Sequence, residues 1–100
     1  MPVDFRTPQL DWDDARYFLA AYRARSLSGA ARALGVSHST IRRRLSGLEE
    51  TLDVRLFTAT AEGLIPTDAA RAAYAQAEDV EHAVGRFGDR LVGASRELSG

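Results

Sequence analysis

Trp12, Ala15, Phe18, Leu19 and Tyr22 recur at three- and four-residue spacing, the period of one apolar face on an α-helix. Asp11 stands just ahead of them as a helix cap. Asp14, three residues later, completes a capping box and suits the positive end of the helix dipole. The pattern stops near Arg25. A shorter stripe follows in Leu27, Ala30, Ala31 and Leu34, opened by Ser26 or Ser28 and closed by Gly35. Val36 bridges a tight turn. Ser37 then caps a third helix, in which Ile41, Leu45, Leu48 and Leu52 repeat at spacings of four, three and four. Ala30 and Ala31 are small enough to let the second and third helices approach closely. The pattern predicts a helix followed by a helix–turn–helix pair.

After Asp53 the period changes. The stretch beginning at Arg55, the Ala-Glu-Gly break and the stretch from Leu64 to Thr67 predict a two-stranded hairpin turning at Glu62-Gly63. Pro66 confines the second strand to an edge. Thr67 caps a final, alanine-rich helix. Its apolar positions Ala73, Ala77, Val80, Val84, Phe87 and Leu91, with Ala94 and Leu98 beyond, alternate by four and three as a heptad seam does. Carried to about residue 92, such a helix is ~37 Å long at ~1.5 Å per residue. Phe87 and Leu91 then lie too far out to fold back on the preceding body, so the seam calls for a second copy. Gly85, Gly88 and Gly93 each cost up to ~1 kcal/mol of helix propensity, so fraying is expected after about residue 92.

The 100 residues, 45% apolar and 27% charged, suit one ordinary globular domain. A domain of this size buries only ~60–65% of its unfolded surface, so pairing with a copy would help it. With no cysteine there is no disulfide, thiol nucleophile or thiolate metal site. His38 and His82 lack ligand-spaced companions, and neither a metal nor a cofactor is expected. No apolar run approaches the ~18 residues of a membrane span, and the first ten residues lack the apolar stretch of a secretory signal. The expected compartment is the cytoplasm. Net charge is −1 and announces no polyanion partner, but it hides an asymmetry. Residues 1–57 hold nine arginines against seven acids, whereas residues 58–100 hold four against seven. Every basic residue is arginine, a planar donor suited to phosphate and guanine.

Three of those arginines, Arg42, Arg43 and Arg44, follow the small hydroxyls of Ser37, Ser39 and Thr40 in the third helix. Stepping ~100° per residue from the buried Ile41 puts Ser39, Arg43, Ser46 and Glu50 opposite the core. Arg42 and Arg44 fall on the flanks, and His38 and Thr40 at the exposed first turn. A major groove admits one α-helix, and the second helix of a helix-turn-helix pair enters it by its N-terminal residues. Serine, threonine, histidine and arginine all bond to bases or phosphates, and the free N–H groups at the Ser37 end favour a phosphate. A run of arginines is more often a solvated helix face. Here, though, it sits in a helix–glycine turn–helix of suitable lengths, followed by a hairpin and a pairing seam. An enzyme is remote. The carboxylate pairs Asp13-Asp14, Glu49-Glu50 and Glu78-Asp79 point ~100° apart on their helices, and no nucleophilic constellation or phosphate-cradling loop is present.

The segments "FLAAYRARSLSGAARAL", "VSHSTIRRRLSGLEETL", "VRLF" and "PTDAA", spanning about Trp12 to Ala77, resemble the N-terminal DNA-binding domain of LysR-type transcriptional regulators. The resemblance implies a mainly α fold: a winged helix-turn-helix with a small two-stranded β-hairpin wing and a long C-terminal linker helix. The chain is then expected to divide into a flexible N-terminal tail over 1–10, which carries Pro2 and Pro8, a winged helix-turn-helix DNA-binding domain over 11–67 and a linker/dimerisation helix over 68–100. The resemblance implies base and phosphate contacts at His38, Ser39, Arg42 and Arg43, supported by Ser37 and Thr40, with Ser28 and Arg32 near the DNA backbone. It implies a homodimer through Ala73, Ala77, Val80, Val84, Phe87 and Leu91. The family's larger effector domain does not follow within this sequence, so no small-molecule ligand is expected for it. Arg42 stands where the family usually has a small serine. Ala59 and Glu62 replace basic wing residues, and Asp53 and Ala70 replace glycines. Each lost phosphate contact would lower the salt dependence of binding by ~0.9.

Two functions follow. One is a sequence-specific domain binding double-stranded operator DNA as a dimer through the helix over 37–52. The alternative is a protein-interaction module that heterodimerises with another regulator and does not itself bind DNA tightly. The arginine shoulders favour the first, the acidic C-terminal half and Glu62 the second.

Overall fold

The computed structural model of the protein describes residues 10–99. The tail expected over 1–10 therefore lies, but for an exposed Leu10, outside the described residues. The chain folds in the order α1 (Trp12–Ala24), α2 (Leu27–Leu34), α3 (His38–Leu52), β1 (Phe57–Thr60), β2 (Gly63–Pro66) and α4 (Asp68–Ser99). This is the mainly helical fold with a small hairpin and a long last helix that the sequence predicts.

The helix starts follow the caps in the sequence. At α1 the Asp14 N–H donates to the Asp11 carboxylate at 3.0 Å, and the Asp11 N–H donates to the Asp14 carboxylate at 3.1 Å. Ser26 rather than Ser28 caps α2, its hydroxyl accepting from the Gly29 N–H at 2.9 Å. Ser37 caps α3, accepting from the Thr40 N–H at 3.1 Å. Each of these bonds satisfies an N–H group at or beside a helix start, and only the pair at α1 is reciprocal. Gly35 ends α2 with φ +67, a left-handed conformation that costs glycine little. Arg25 and Asp53 end α1 and α3 in the same region, at φ 58 and 53, without that advantage.

The core gathers around α1. Tyr17, Phe18, Leu19, Ala20 and Ala21 are all buried. Five consecutive buried positions exceed what one apolar stripe supplies. They arise because α1 packs against α2, α3, α4 and β2 at once. Ala30 of α2 and Ile41 of α3 are fully enclosed, so the two helices do meet over small side chains. Burial of a side chain such as Leu19 or Ile41 stabilises the fold by about 1.5–3 kcal/mol. The Phe18 ring lies 5.8 Å from both Tyr22 and Phe57, tying the hairpin to α1.

The hairpin differs from expectation by a residue or two. Phe57 pairs with Pro66 and Thr60 with Gly63, leaving Ala61 and Glu62 as the turn in place of Glu62-Gly63. Gly63 has another task. The Leu64 N–H donates to the Arg25 carbonyl at 2.8 Å, and a Cβ on Gly63 would stand 2.3 Å from that oxygen. The glycine lets β2 lie directly against the end of α1. Strand β1 begins at Phe57 rather than Arg55. The Leu56 N–H and Phe57 N–H instead donate to the Glu49 carboxylate of α3, at 2.7 and 3.3 Å. Thr67 then joins hairpin to helix: its hydroxyl donates to the Arg55 carbonyl at 2.7 Å and accepts from the Ala70 N–H at 3.3 Å.

Helix α4 is helical through Ser99, past residue 92, where the glycines lead the sequence reading to expect fraying. Its 32 residues make it ~48 Å long. Asp68 in its first turn and Arg96 in its last both favour the helix dipole, and isolated glycines are tolerated in so long a helix. Only its base meets the body. Ala70 is fully buried, and Tyr74 and Ala77 pack against the core. Ala77, expected in the outward seam, is thus partly spent on the chain's own core. Among the other seam positions Ala73, Val80, Val84, Phe87 and Leu91 are exposed, Phe87 at 66%.

Candidate nucleic-acid interface

Helix α3 is held by its apolar stripe, with Ile41, Leu45 and Leu48 buried, and this sets its other face outward. Ser39, Arg43, Ser46 and Glu50 are all exposed on that face. Spacings of four, three and four make them one ridge along the helix. His38, the first residue of α3, and Arg42, one turn later, are exposed beside it. The hairpin covers none of them.

The hydroxyls at the helix start bond to one another. The Ser37 hydroxyl lies 2.8 Å from that of Thr40 and 3.2 Å from that of Ser39. Ser37 therefore acts first as a cap, and Thr40 is half-buried. Ser39 is exposed and keeps hydrogen-bonding capacity for an incoming group, since a hydroxyl both donates and accepts. No acid occupies the first turn of α3, so nothing there opposes an anion.

The three consecutive arginines separate into two roles. Arg44 is half-buried. Its guanidinium lies 4.7 Å from the centre of the Tyr17 ring and 3.7 Å from the Asp13 carboxylate, which fastens α3 to α1. Among the described residues no hydrogen bond or ion pair engages Arg42 or Arg43. Both project into solvent as free planar donors. On α2, Ser28 and Arg32 are exposed, and no ion pair engages Arg32 either. Helix periodicity separates Arg43 from the core, but nothing in the sequence singles out Arg44 as the residue that α1 would hold.

The hairpin presents Thr58, Ala59, Thr60, Ala61 and Glu62 to solvent, and none of these is basic. The nearest cation in sequence, Arg55, lies 3.8 Å from Glu49. The strands and turn of the hairpin thus add no positive group to this surface.

On α4 the sequence pattern overlooks Tyr74 and Glu81. Tyr74 stacks on Tyr22 of α1 with ring centres 4.2 Å apart. Arg23 of α1 reaches Glu81 with two nitrogens, at 2.8 and 2.9 Å. The hydrogen bonds from Arg23 hold the Glu81 carboxyl below its ordinary range. Those residues are 58 positions apart in sequence, so no local pattern relates them. Among the described residues no helix is long and apolar enough to cross a membrane, and no cluster of His, Asp and Glu could hold a metal ion.

Residues 12–71 match the family model described as bacterial regulatory helix-turn-helix protein, lysR family. The chain is 36% identical over 86 residues to the HTH-type transcriptional activator AmpR of Rhodobacter capsulatus, covering 86% of this chain and 30% of that protein. It is 41% identical over 63 residues to the Mau operon transcriptional activator of Paracoccus denitrificans, covering 63% of this chain and 22% of that one. This chain thus spans less than a third of either relative. Among solved structures, it resembles the chain in the crystal structure of the CbnR_DBD–DNA complex, with a TM-score of 0.76 and 31% identity, over 86% of this chain and 99% of that one. It also resembles CbnR, a LysR family transcriptional regulator, with a TM-score of 0.78 and 32% identity, over 87% of this chain and 30% of that one.

Proposed function

The chain belongs to the lysR family of bacterial regulatory helix-turn-helix proteins, and we propose that it binds double-stranded operator DNA as a homodimer in the cytoplasm, acting as a recognition module rather than an enzyme. The observation that carries the reading is the free ridge of α3: Ser39, Arg42 and Arg43 are exposed, with no hydrogen bond or ion pair to the arginines. An arginine already paired inside the fold would first have to give up its partner. These two meet phosphate or guanine at no such cost, and a fork that binds guanine O6 and N7 distinguishes that base from the others. His38 joins them in base and phosphate contacts at the helix start, with Ser37 and Thr40 in support. Ser28 and Arg32 meet the backbone beside them. The likeness to the chain of the CbnR_DBD–DNA complex supports the same use of the fold.

The domain divides by role into a DNA-binding head over 11–67 and a pairing helix over 68–100. Val80, Val84, Phe87 and Leu91 leave an apolar stripe in water that a second copy would cover. Two heads on one pair of helices then address two half-sites about one helical turn apart, or a multiple of it. The wing of this chain contributes shape rather than charge, since Ala59 and Glu62 offer phosphate no cation.

Titration of labelled duplex DNA at several salt concentrations, read by fluorescence anisotropy, tests the reading. Specific retention over scrambled duplex is expected at moderate salt, with affinity falling steeply as salt rises. Arg42→Ala is expected to make that dependence shallower by ~0.9 if its contact is a phosphate. Equal affinity for specific and scrambled duplexes at every salt concentration would overturn the proposal.

A further inference from the structure

Helix α4 leaves the head along a narrow attachment. On one side of its base lies an apolar cleft of about 400 Å³, bounded by Trp12 and Phe18 of α1, Leu52 of α3, and Ala73, Ala77 and Val80 of α4. Among the described residues no side chain fills this space, so that within one chain α4 has room to rock toward it. On an adjacent face Arg23 grips the helix beside the Tyr22–Tyr74 stack. Arg23 donates through Nε to the Tyr74 hydroxyl at 3.1 Å and through its two terminal nitrogens to both oxygens of Glu81. Glu78 stands 3.6 Å from the same guanidinium. Tyr74, Glu78 and Glu81 are spaced by four and three, so one arginine engages two turns of one face, ~10 Å of helix.

That arrangement fixes direction more than stability. Arg23 and Glu81 are 42% and 35% exposed, and exposed ion pairs add little to the folding free energy. A planar fork on a carboxylate, however, sets both distance and orientation. The Tyr22–Tyr74 stack beneath it limits sliding. We propose that Arg23 is a positioning residue which sets the angle of α4 against the head, and through it the spacing of half-sites that a dimer accepts.

This proposal rests on the dimeric, DNA-binding reading given above. Its leverage follows from length. Leu91 lies ten residues beyond Glu81, ~15 Å along the helix. A tilt of ~10° at the clasp moves that point by about 2.6 Å, and by about 5 Å between two copies, against a base-pair rise of ~3.4 Å. Loss of the clasp therefore blurs the spacing by more than one base pair while leaving α3 unaltered.

The test has two arms. Because the chain lacks cysteine, spin labels placed at Thr58→Cys and Val92→Cys are unique. Diluted with unlabelled protein, they report the head-to-α4 distance within one chain, with no DNA present. The second arm measures retention on duplexes whose inverted half-sites are moved apart one base pair at a time. In the parent protein a single narrow distance and a single preferred spacing are expected. In Arg23→Ala, and in Arg23→Lys, which keeps the charge without the fork, the distance should broaden. Retention should spread to within about threefold across neighbouring spacings, with the preferred bases of each half-site unchanged. Glu81→Gln, which leaves the arginine and the helix in place, should give the same change in smaller measure and stands in if Arg23→Ala loses helical circular dichroism. Narrow distances and an unmoved spacing peak in the Arg23 variants, or in Glu81→Gln where it stands in, would overturn the proposal. If the parent retains no duplex at any spacing, the DNA-binding reading fails, and the distance arm still decides whether Arg23 sets the angle.

Discussion

Among the described glycines, Gly63 is the one where an added Cβ would meet the closest atom. Its φ is +119, a value L side chains rarely adopt, and an added Cβ would stand 2.3 Å from the Arg25 carbonyl oxygen. Ordinary contact begins near 3.4 Å, so in Gly63→Ala the hairpin must retreat from the end of α1 by about 1 Å. That retreat stretches the Leu64 N–H to Arg25 carbonyl bond, now 2.8 Å, past its useful range. The backbone strain costs about 1–3 kcal/mol and the lost hydrogen bond about 1 kcal/mol. Together the loss is about 2–4 kcal/mol. In a domain of this length each kcal/mol lowers the melting temperature by roughly 4–8 °C, so a fall of at least ~8 °C is expected. Helical circular dichroism followed through heat and urea gives the number. Gly47→Ala is the matched control. Its Cβ meets nothing within 4 Å in the middle of α3, so that substitution should stabilise by up to ~1 kcal/mol. A Gly63→Ala protein within 0.5 kcal/mol of its parent would refute the steric account of how β2 meets α1.

Three further outcomes follow from other contacts. Glu49→Ala removes the acceptor shared by the Leu56 and Phe57 N–H groups and should destabilise by about 2 kcal/mol, with amide exchange rising first at those two positions; unchanged exchange would contradict the anchor. Glu62→Arg places a cation at the hairpin turn. If the wing passes near phosphate, affinity for duplex should rise and its salt dependence steepen by ~0.9, whereas an unchanged slope would leave the wing off the DNA. Val84→Asp and Phe87→Asp each put a charge into the apolar seam and should dissociate the dimer in sedimentation; a dimer unchanged by both would remove the seam.

Much of this fold is written in short-range signals. Asp11 with Asp14, Ser37 and Gly35 each act within a few residues, and each element boundary they predict is met. The outward ridge of α3 is legible for the same reason: a buried stripe at helical spacing fixes the opposite face by periodicity alone. Where the reading departs from the structure, a distant partner intervenes. Gly63 looks like a turn residue in the sequence, but its conformation answers to the carbonyl of Arg25, far upstream. Arg44 looks like one member of a basic run, yet Tyr17 and Asp13 of α1 hold it. Tyr74 sits in an alanine-rich stretch whose heptad pattern picks out Ala73 and Ala77 for pairing with a second copy, and that pattern does not mark the side of α4 that meets the core. Arg23 and Glu81 meet only after the chain has closed on itself. Those late contacts decide how α4 is aimed, and periodicity carries no information about them.

Selection of bound sequences from random duplex DNA, run in parallel with the parent chain and with Arg43→Ala, distinguishes a helix that reads bases from a merely solvated one. The parent is expected to enrich an inverted repeat with half-sites about one helical turn or a multiple apart. Arg43→Ala should keep that frame and relax the preference at one position of each half-site, by the ~1–3 kcal/mol that one good bidentate base contact supplies. No enriched motif from the parent, or an identical motif from the variant, would contradict the account of α3 as the element that reads DNA through its free arginine.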